Sequence, residues 1–274
     1  VSSEKETRQI LFFLLTAHCL PLTGKEGKNM RRAAGRGPDE LRAVSITPGY
    51  LDFAEGSALV NWGRTRVLCA ASVLEQVPRF REYSGGGWVT GEYGMLPRCT
   101  NTRQTREGQG GQFSGRTYEI QRLIGRSLRA VVDLQALGPR TVVLDCDVLQ
   151  ADGGTRTAAI SGALVALALA LENLKRQGLL EAMPLQDQVA AVSVGLVGGR
   201  LLLDLDYEED SQAAVDANFV ATGKGELIEV QATGERGPFP AALMSEMLAL
   251  AQQGLSQIAR IQEETLTPCL PLPW

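Results

Sequence analysis

The chain has 274 residues, 44% of them hydrophobic and 21% charged, which is too apolar for wholesale disorder and allows one large domain or two small ones. One histidine (His18) and five cysteines without a CxxC pair exclude a disulfide scaffold, the usual zinc arrangements and any Ser-His-Asp triad that does not use His18. The net charge of −4 hides a division: residues 31–156 hold 17 Arg and no Lys against 13 acidic side chains, whereas residues 157–274 hold 6 basic against 15 acidic.

Residues 1–29 read as a leader outside the fold, disordered or a start-site artefact, with Met30 as the original start. The apolar run at residues 10–15 has a signal peptide's length, but Glu4 and Glu6 spoil the basic flank and no small-residue cleavage site follows. From Val44 the pattern turns hairpin-like. Residues 57–62 and 65–73 alternate about Gly63-Arg64, residues 189–197 and 200–207 about Gly198-Gly199, and residues 219–221 and 226–233 about Gly223-Lys224-Gly225. Helical patterns cover 117–135, 155–177 and 240–265, and 142–149 reads as a buried strand. Strands paired mostly by hairpins, with helices between them, indicate an α+β class of mixed sheets rather than a doubly wound parallel sheet. Two hairpin-plus-helix halves without a Pro- or Ser-rich linker suggest one body with internal pseudo-duplication. No uninterrupted apolar run approaches the roughly 20 residues that cross a bilayer. Residues 266–274 carry three prolines and are expected to fray.

Placement of particular arginines carries more than their number, since Arg-rich composition fits a phosphate or nucleic-acid surface and also a GC-rich genome. After the strand at 142–149 comes Gln150-Ala151-Asp152-Gly153-Gly154-Thr155-Arg156, opening a long Ala/Leu helix. Free backbone N–H groups and the positive end of the helix dipole meet there, glycine lets an anion approach the backbone, and Arg156 adds a charge. The spacing is neither a Walker loop nor a dinucleotide fingerprint. A plain turn with Thr155 as N-cap is the competing reading. Arg98, Arg103 and Arg106 lie in a glycine-rich polar stretch, and Arg116 follows Gly115 where the next helix begins. The acidic run is Asp204-Leu205-Asp206-Tyr207-Glu208-Glu209-Asp210-Ser211, followed by Asp216 and Asn218. As an alternating strand it puts Asp204 and Asp206 on one face. Grouped carboxylates suit Mg²⁺, and a solvated acidic turn is the alternative. Cys69, Cys99 and Cys146 sit in or beside apolar strands and read as small reduced core residues.

Together these motifs closely resemble the ribonuclease PH family of phosphate-dependent tRNA nucleotidyltransferases. The matching text is Glu92-Tyr93-Gly94-Met95-Leu96-Pro97-Arg98, Gly115-Arg116-Thr117-Tyr118-Glu119-Ile120-Gln121-Arg122-Leu123, residues 144–159, residues 190–195, and Asp206 to Ser211 with Asp216. The likeness runs from about residue 30 to 265. It implies a ribosomal protein S5 domain 2-like fold, a single family domain over 30–265, and a hexameric ring built as a trimer of dimers. It implies that Arg116, Gly154, Thr155 and Arg156 bind inorganic phosphate, that Asp210 and Asp216 are the catalytic, metal-associated pair, and that Arg98, Arg103 and Arg106 serve ring assembly or tRNA contact. The activity it implies is trimming of precursor-tRNA 3′ ends, releasing nucleoside 5′-diphosphates with inorganic phosphate as co-substrate and Mg²⁺ as cofactor, and running reversibly; the reduced state read for Cys69, Cys99 and Cys146 fits a cytoplasmic enzyme. Phosphate would be the nucleophile, so neither histidine nor an activated serine is required. An inactive RNA-binding ring subunit would lack phosphate or acidic residues that are present here. A small-molecule kinase of related fold would carry a glycine-rich ATP loop that is not found.

Overall fold

The computed structural model describes residue 32 and residues 35–107 and 114–274. The leader reading of residues 1–29, and Met30 with it, lies outside the described residues. Residues from 32 onward belong to one compact unit.

Sheet one grows from the hairpin of β2 (Gly56–Trp62) and β3 (Thr65–Leu74), turning at Gly63-Arg64 as the alternation predicts. β1 (Val44–Pro48) adds to β2, and β5 (Thr141–Gln150) runs antiparallel to β3. β4 (Trp88–Met95) closes the edge parallel to β5, giving the order β1-β2-β3-β5-β4. Alternate residues of each strand face inward: Ala58, Val60 and Trp62 on β2, Val67, Cys69 and Ala71 on β3, and Val142, Leu144, Cys146 and Val148 on β5 are all buried. Cys69, Cys99 and Cys146 are buried and unbridged, as expected.

Helix α1 (Gly115–Arg129) is capped by Ser114, whose hydroxyl accepts from the Thr117 N–H, and it packs on β4. The helix starts two residues before the expected position and stops six earlier, because the chain turns at Ala130 to form an isolated bridge between Val132 and Leu185. Helix α2 (Thr155–Arg176) is apolar on all sides and lies against strands of both sheets, which is why it shows no polar face. Its length and mean hydropathy satisfy the composition of a membrane span, which the count of uninterrupted apolar residues did not reveal; 89% of that window is buried inside the protein. Close approach to sheet one depends on Gly162, where a Cβ would stand 2.4 Å from Val60 and 2.8 Å from Cys69 Sγ.

Sheet two has the order β7-β6-β8-β9, from β6 (Val189–Val197), β7 (Arg200–Leu203), β8 (Val215–Thr222) and β9 (Leu227–Thr233). Helix α4 (Ala241–Leu266) covers β6 with Leu243, Met247, Ala251, Leu255 and Ile258. The segment after it, expected to fray, buries Leu270, and the Cys269 carbonyl accepts from Arg176 Nη2 at 2.7 Å.

The acidic run departs most from expectation. β7 ends at Leu203 because Asp204 takes a left-handed backbone (φ 57), and a short helix α3 (Tyr207–Gln212) follows. The predicted strand alternation of Asp204 and Asp206 therefore does not exist. Asp206 instead N-caps α3 in a capping box with Glu209.

Candidate active site

The chain enters α2 through Asp152, Gly153 and Gly154, the two glycines at φ 73 and 63. A Cβ at Gly153 would stand 2.5 Å from the Leu205 carbonyl oxygen, and one at Gly154 would stand 2.8 Å from Arg42 Nη2. Glycine is thus required here both for the left-handed backbone and for space. Gly154 is the N-cap, so the reading of Thr155 as cap is replaced by Thr155 as first helical residue. Among the described residues no acceptor pairs with the N–H groups of Gly153, Gly154, Thr155 or Arg156. The Thr155 hydroxyl accepts from the buried Tyr93 phenol at 2.9 Å, and burial pushes that phenol's pKa up.

This helix start opens onto a small recess lined by Arg116, Gly154, Thr155, Arg156, Asp210 and Asp216. Four of these residues, Arg116, Arg156, Asp210 and Asp216, also border a larger cavity of about 920 Å³ that extends along β9 to Gln231, Glu235 and Arg236. Six of the six residues expected to bind phosphate or carry acidic chemistry therefore meet at one place, although they come from α1, α2, α3 and β8. Arg156 Nη1 donates to Gln231 Oε1 at 2.9 Å and Glu119 Oε1 at 3.2 Å. Arg116 forms no ion pair within 4.0 Å among the described residues, and it acts on the two aspartates through space.

Asp216 rises to about 6, first because burial penalises its charge and next because Asp210 repels it; Arg156 and Arg116 pull the other way. Burial raises Asp210 as well, against the same two arginines. A half-buried Asp216 that resists ionising beside the exposed Asp210 is a place where a divalent cation would offset the repulsion. Among the described residues no group of three or more His, Cys, Asp or Glu could hold a metal. Two carboxylates without a closed cage fit Mg²⁺, which keeps waters and shares phosphate oxygens with a substrate.

Arg98, Arg103 and Arg106 do not join the recess. All three are exposed; Arg98 Nη1 donates to the Asn101 carbonyl, and Arg106 acts on Asp147 of β5. The rest of the acidic run also separates. Asp204 is buried against Arg42, and Glu209 is buried against Arg32, whose Nε donates to Glu209 Oε1 at 2.7 Å. Arg42 and Thr65, which donate to the carbonyls of the Asp152–Gly154 turn, Trp62, which donates to Asp204, and Tyr93 are contributors that sequence reasoning missed. Tyr93 stood inside a quoted motif without a role. Arg42 lies 162 residues from its partner Asp204, and no local pattern joins them.

The chain matches the family models described as 3′ exoribonuclease family, domain 1, over residues 40–171, and domain 2, over residues 187–254. It is 59% identical to a ribonuclease PH of Saccharopolyspora erythraea over 243 residues, 88% of this chain and 97% of that one. It is 57% identical to a ribonuclease PH of Moorella thermoacetica over 86% of this chain and 95% of the other. Among solved structures, rice (Oryza sativa) Rrp46 superposes with a TM-score of 0.69 at 24% identity, covering 86% of this chain and all of that one. The Archaeoglobus fulgidus exosome with RNA bound to the active site gives 0.69 at 25% identity, covering 84% and 92%. The two superpositions agree with an α+β, ribosomal protein S5 domain 2-like fold for this chain. With nearly the full length of two curated relatives matched at more than half identity, the chain belongs to the ribonuclease PH family.

Proposed function

We propose that this protein is a phosphorolytic 3′-5′ exoribonuclease that processes tRNA 3′ ends, and that the recess at the start of α2 is where inorganic phosphate attacks. The observation that carries this reading is the meeting of two guanidiniums, unpaired helix-start N–H groups and two carboxylates in one recess. Arg116 and Arg156 grip phosphate oxygens, with the N–H groups of Gly154 and Thr155 completing the cradle. The phosphate then attacks the last phosphorus in line: a new P–O bond forms, the bond to the preceding 3′ oxygen breaks, that oxygen takes a proton and remains as the 3′ hydroxyl of the shortened RNA, and the terminal nucleotide departs as a nucleoside 5′-diphosphate.

Charge is the central difficulty, because two anions must touch. At about 4 Å a unit pair repels by about 4 kcal/mol in a partly screened site, and two fixed guanidiniums offset a term of that size. Asp210 and Asp216 would hold Mg²⁺, which supplies Lewis-acid stabilisation of the phosphoryl oxygens when bound. Whichever of Asp210 and Asp216 is not occupied by the cation would take the proton of the attacking phosphate. One phosphate bond replaces another, so the reaction runs backward from diphosphates as well.

The finer assignments belong to the same proposal: precursor tRNA as substrate, a homohexamer formed as a trimer of dimers, Arg98, Arg103 and Arg106 serving ring assembly or tRNA contact, and a cytoplasmic location. The solved archaeal relative holds RNA at its own active site, which supports RNA as the ligand of this recess. The reading assigns no role to residues 1–29, and a chain beginning at Met30 is expected to be as active as the long form. The deciding experiment incubates the protein with an unstructured RNA, with and without inorganic phosphate, and identifies the released mononucleotide. Diphosphates appearing only with phosphate support the reading. Monophosphates, or release without phosphate, overturn it.

A further inference from the structure

We propose that Arg42, locked in place by Asp204, is a positioning residue for phosphate: it fixes the Asp152–Gly154 turn so that the turn's N–H groups face the anion. This rests on the phosphorolytic reading and adds to it a residue that touches neither phosphate nor RNA.

Arg42 gathers the turn's carbonyls. Its Nη1 donates to the Asp152 carbonyl and its Nη2 to the Gly153 carbonyl at 3.5 Å. Thr65 Oγ1 donates to the Gly153 carbonyl at 2.7 Å and accepts from the Asp152 N–H at 2.9 Å. In a trans peptide the carbonyl and the following N–H point to opposite sides. Holding these two carbonyls on Arg42 therefore turns the Gly153 and Gly154 N–H groups away from it, and they have no acceptor among the described residues. Gly154 faces the recess beside Arg116 and Arg156.

Arg42 is itself gripped from behind. Asp204 Oδ2 accepts from the Arg42 N–H at 2.7 Å, from Arg42 Nε at 2.9 Å and from Trp62 Nε1 at 3.0 Å, while Oδ1 accepts from Arg42 Nη2 at 2.6 Å. Asp204 is 1% exposed, and among the described residues it is the non-glycine held at positive φ. A strained backbone at a buried acid needs a reason, and the fourfold grip on Arg42 and Trp62 supplies it. The Asp204 carbonyl also accepts from Arg32 Nη2 at 2.9 Å, and Arg32 holds Glu209, the neighbour of Asp210. One buried ionic unit thus carries both the phosphate turn and the helix bearing Asp210. Buried ion pairs are poor sources of stability compared with apolar packing, and their use lies in fixing geometry.

The test is steady-state phosphorolysis of an unstructured RNA by the full chain, varying phosphate and RNA separately, together with the rise in melting temperature that phosphate induces. Arg42→Lys keeps the charge but loses the planar fork that reaches Asp204 and both carbonyls. It is expected to raise the KM for phosphate about tenfold and to shrink the phosphate-induced rise at a fixed phosphate concentration, with the KM for RNA unchanged. Asp204→Asn should do the same. Thr65→Val should raise the phosphate KM by a smaller factor, and Thr65→Ser should restore it. A folded Arg42→Lys protein with unchanged phosphate KM overturns the proposal, as does equal loss in kcat and both KM values alongside a lower melting temperature. If Arg42→Lys does not fold, the Thr65 pair decides: no difference between Val and Ser overturns the proposal. Wild-type protein without phosphate-dependent release would sink the phosphorolytic reading, whereas a normal wild type with an indifferent Arg42→Lys sinks only the positioning role.

Discussion

The glycine turn at 152–156 and the acidic run at 204–211 look equally suggestive as text, yet folding keeps the first together and divides the second among separate tasks. The turn keeps its residues together, because a strand end, two glycines and a helix start are contiguous in both sequence and space. The acidic run disperses: Asp204 goes behind the turn, Asp206 caps a helix, Glu209 pairs with Arg32, and Asp210 alone reaches the recess, where Asp216 of β8 joins it. Backbone motifs localise chemistry, whereas runs of like charge do not, since each carboxylate is directed by its own φ and ψ.

The sharpest way to break this comparison is to remove the charges at the turn's mouth. Arg116→Ala and Arg156→Ala are each expected to lower phosphate-dependent turnover by about 10²–10³-fold. Melting should barely move, because Arg116 has no ion-pair partner within 4.0 Å among the described residues and Arg156 has a partly exposed one, Glu119. Turnover at limiting phosphate, read beside a melting curve, checks this. A large fall in melting temperature with normal phosphate dependence would mean that the turn is scaffold only.

The acidic pair gives the next effect. Asp210→Asn and Asp216→Asn should each cost about 10²-fold in turnover while leaving RNA binding, measured without phosphate, nearly intact. The two variants differ in stability. Asp216 is raised from 3.8 to about 6, so between those values the folded protein holds more protons than the unfolded chain. Stability from this group therefore falls as pH rises through that window, and the penalty is complete above about pH 6. Removing the charge in Asp216→Asn should stabilise the metal-free protein at neutral pH by on the order of 2–3 kcal/mol and do nothing near pH 3. Denaturant unfolding at the two pH values measures it. Adding Mg²⁺ to wild type should recover part of that gain and shift the acid limb of activity to lower pH.

Much of the fold was legible because hydrophobic period and glycine punctuation agree: the β2–β3 hairpin, the β6 strand and the α2 and α4 helices fall within a residue or two of the pattern. The site's turn was legible for the same reason. Less legible was anything set by contacts distant in sequence. The strand expected at 219–221 begins four residues earlier, at Val215, because the ladder with β6 extends it through Asp216. Helix α3 hides in a run whose local signal was charge, although Asp206 and Glu209 stand at capping-box spacing. Arg42 carried no sign at all, because its meaning is a partner across both sheets.

The smallest expected effect falls on that overlooked cap. Asp206 Oδ1 accepts from the Glu209 N–H at 3.0 Å, and Glu209 Oε2 accepts from the Asp206 N–H at 3.1 Å. Asp206→Ala removes the first bond and should cost about 1 kcal/mol of stability, the usual worth of an N-cap. Helix α3 has six residues, so a frayed first turn could carry Asp210 with it. Against that, Arg32 still holds Glu209 through two bonds, at 2.7 and 3.0 Å, and Glu209 is beside Asp210 in the chain. Turnover should therefore fall only about two- to threefold, roughly half a kcal/mol. Combining Asp206→Ala with Glu209→Gln should cost more than the two separate losses, because each group is the other's remaining anchor. Strict additivity in the double variant would show that α3 is held elsewhere, and that the acidic run has even less unity than the structure gives it.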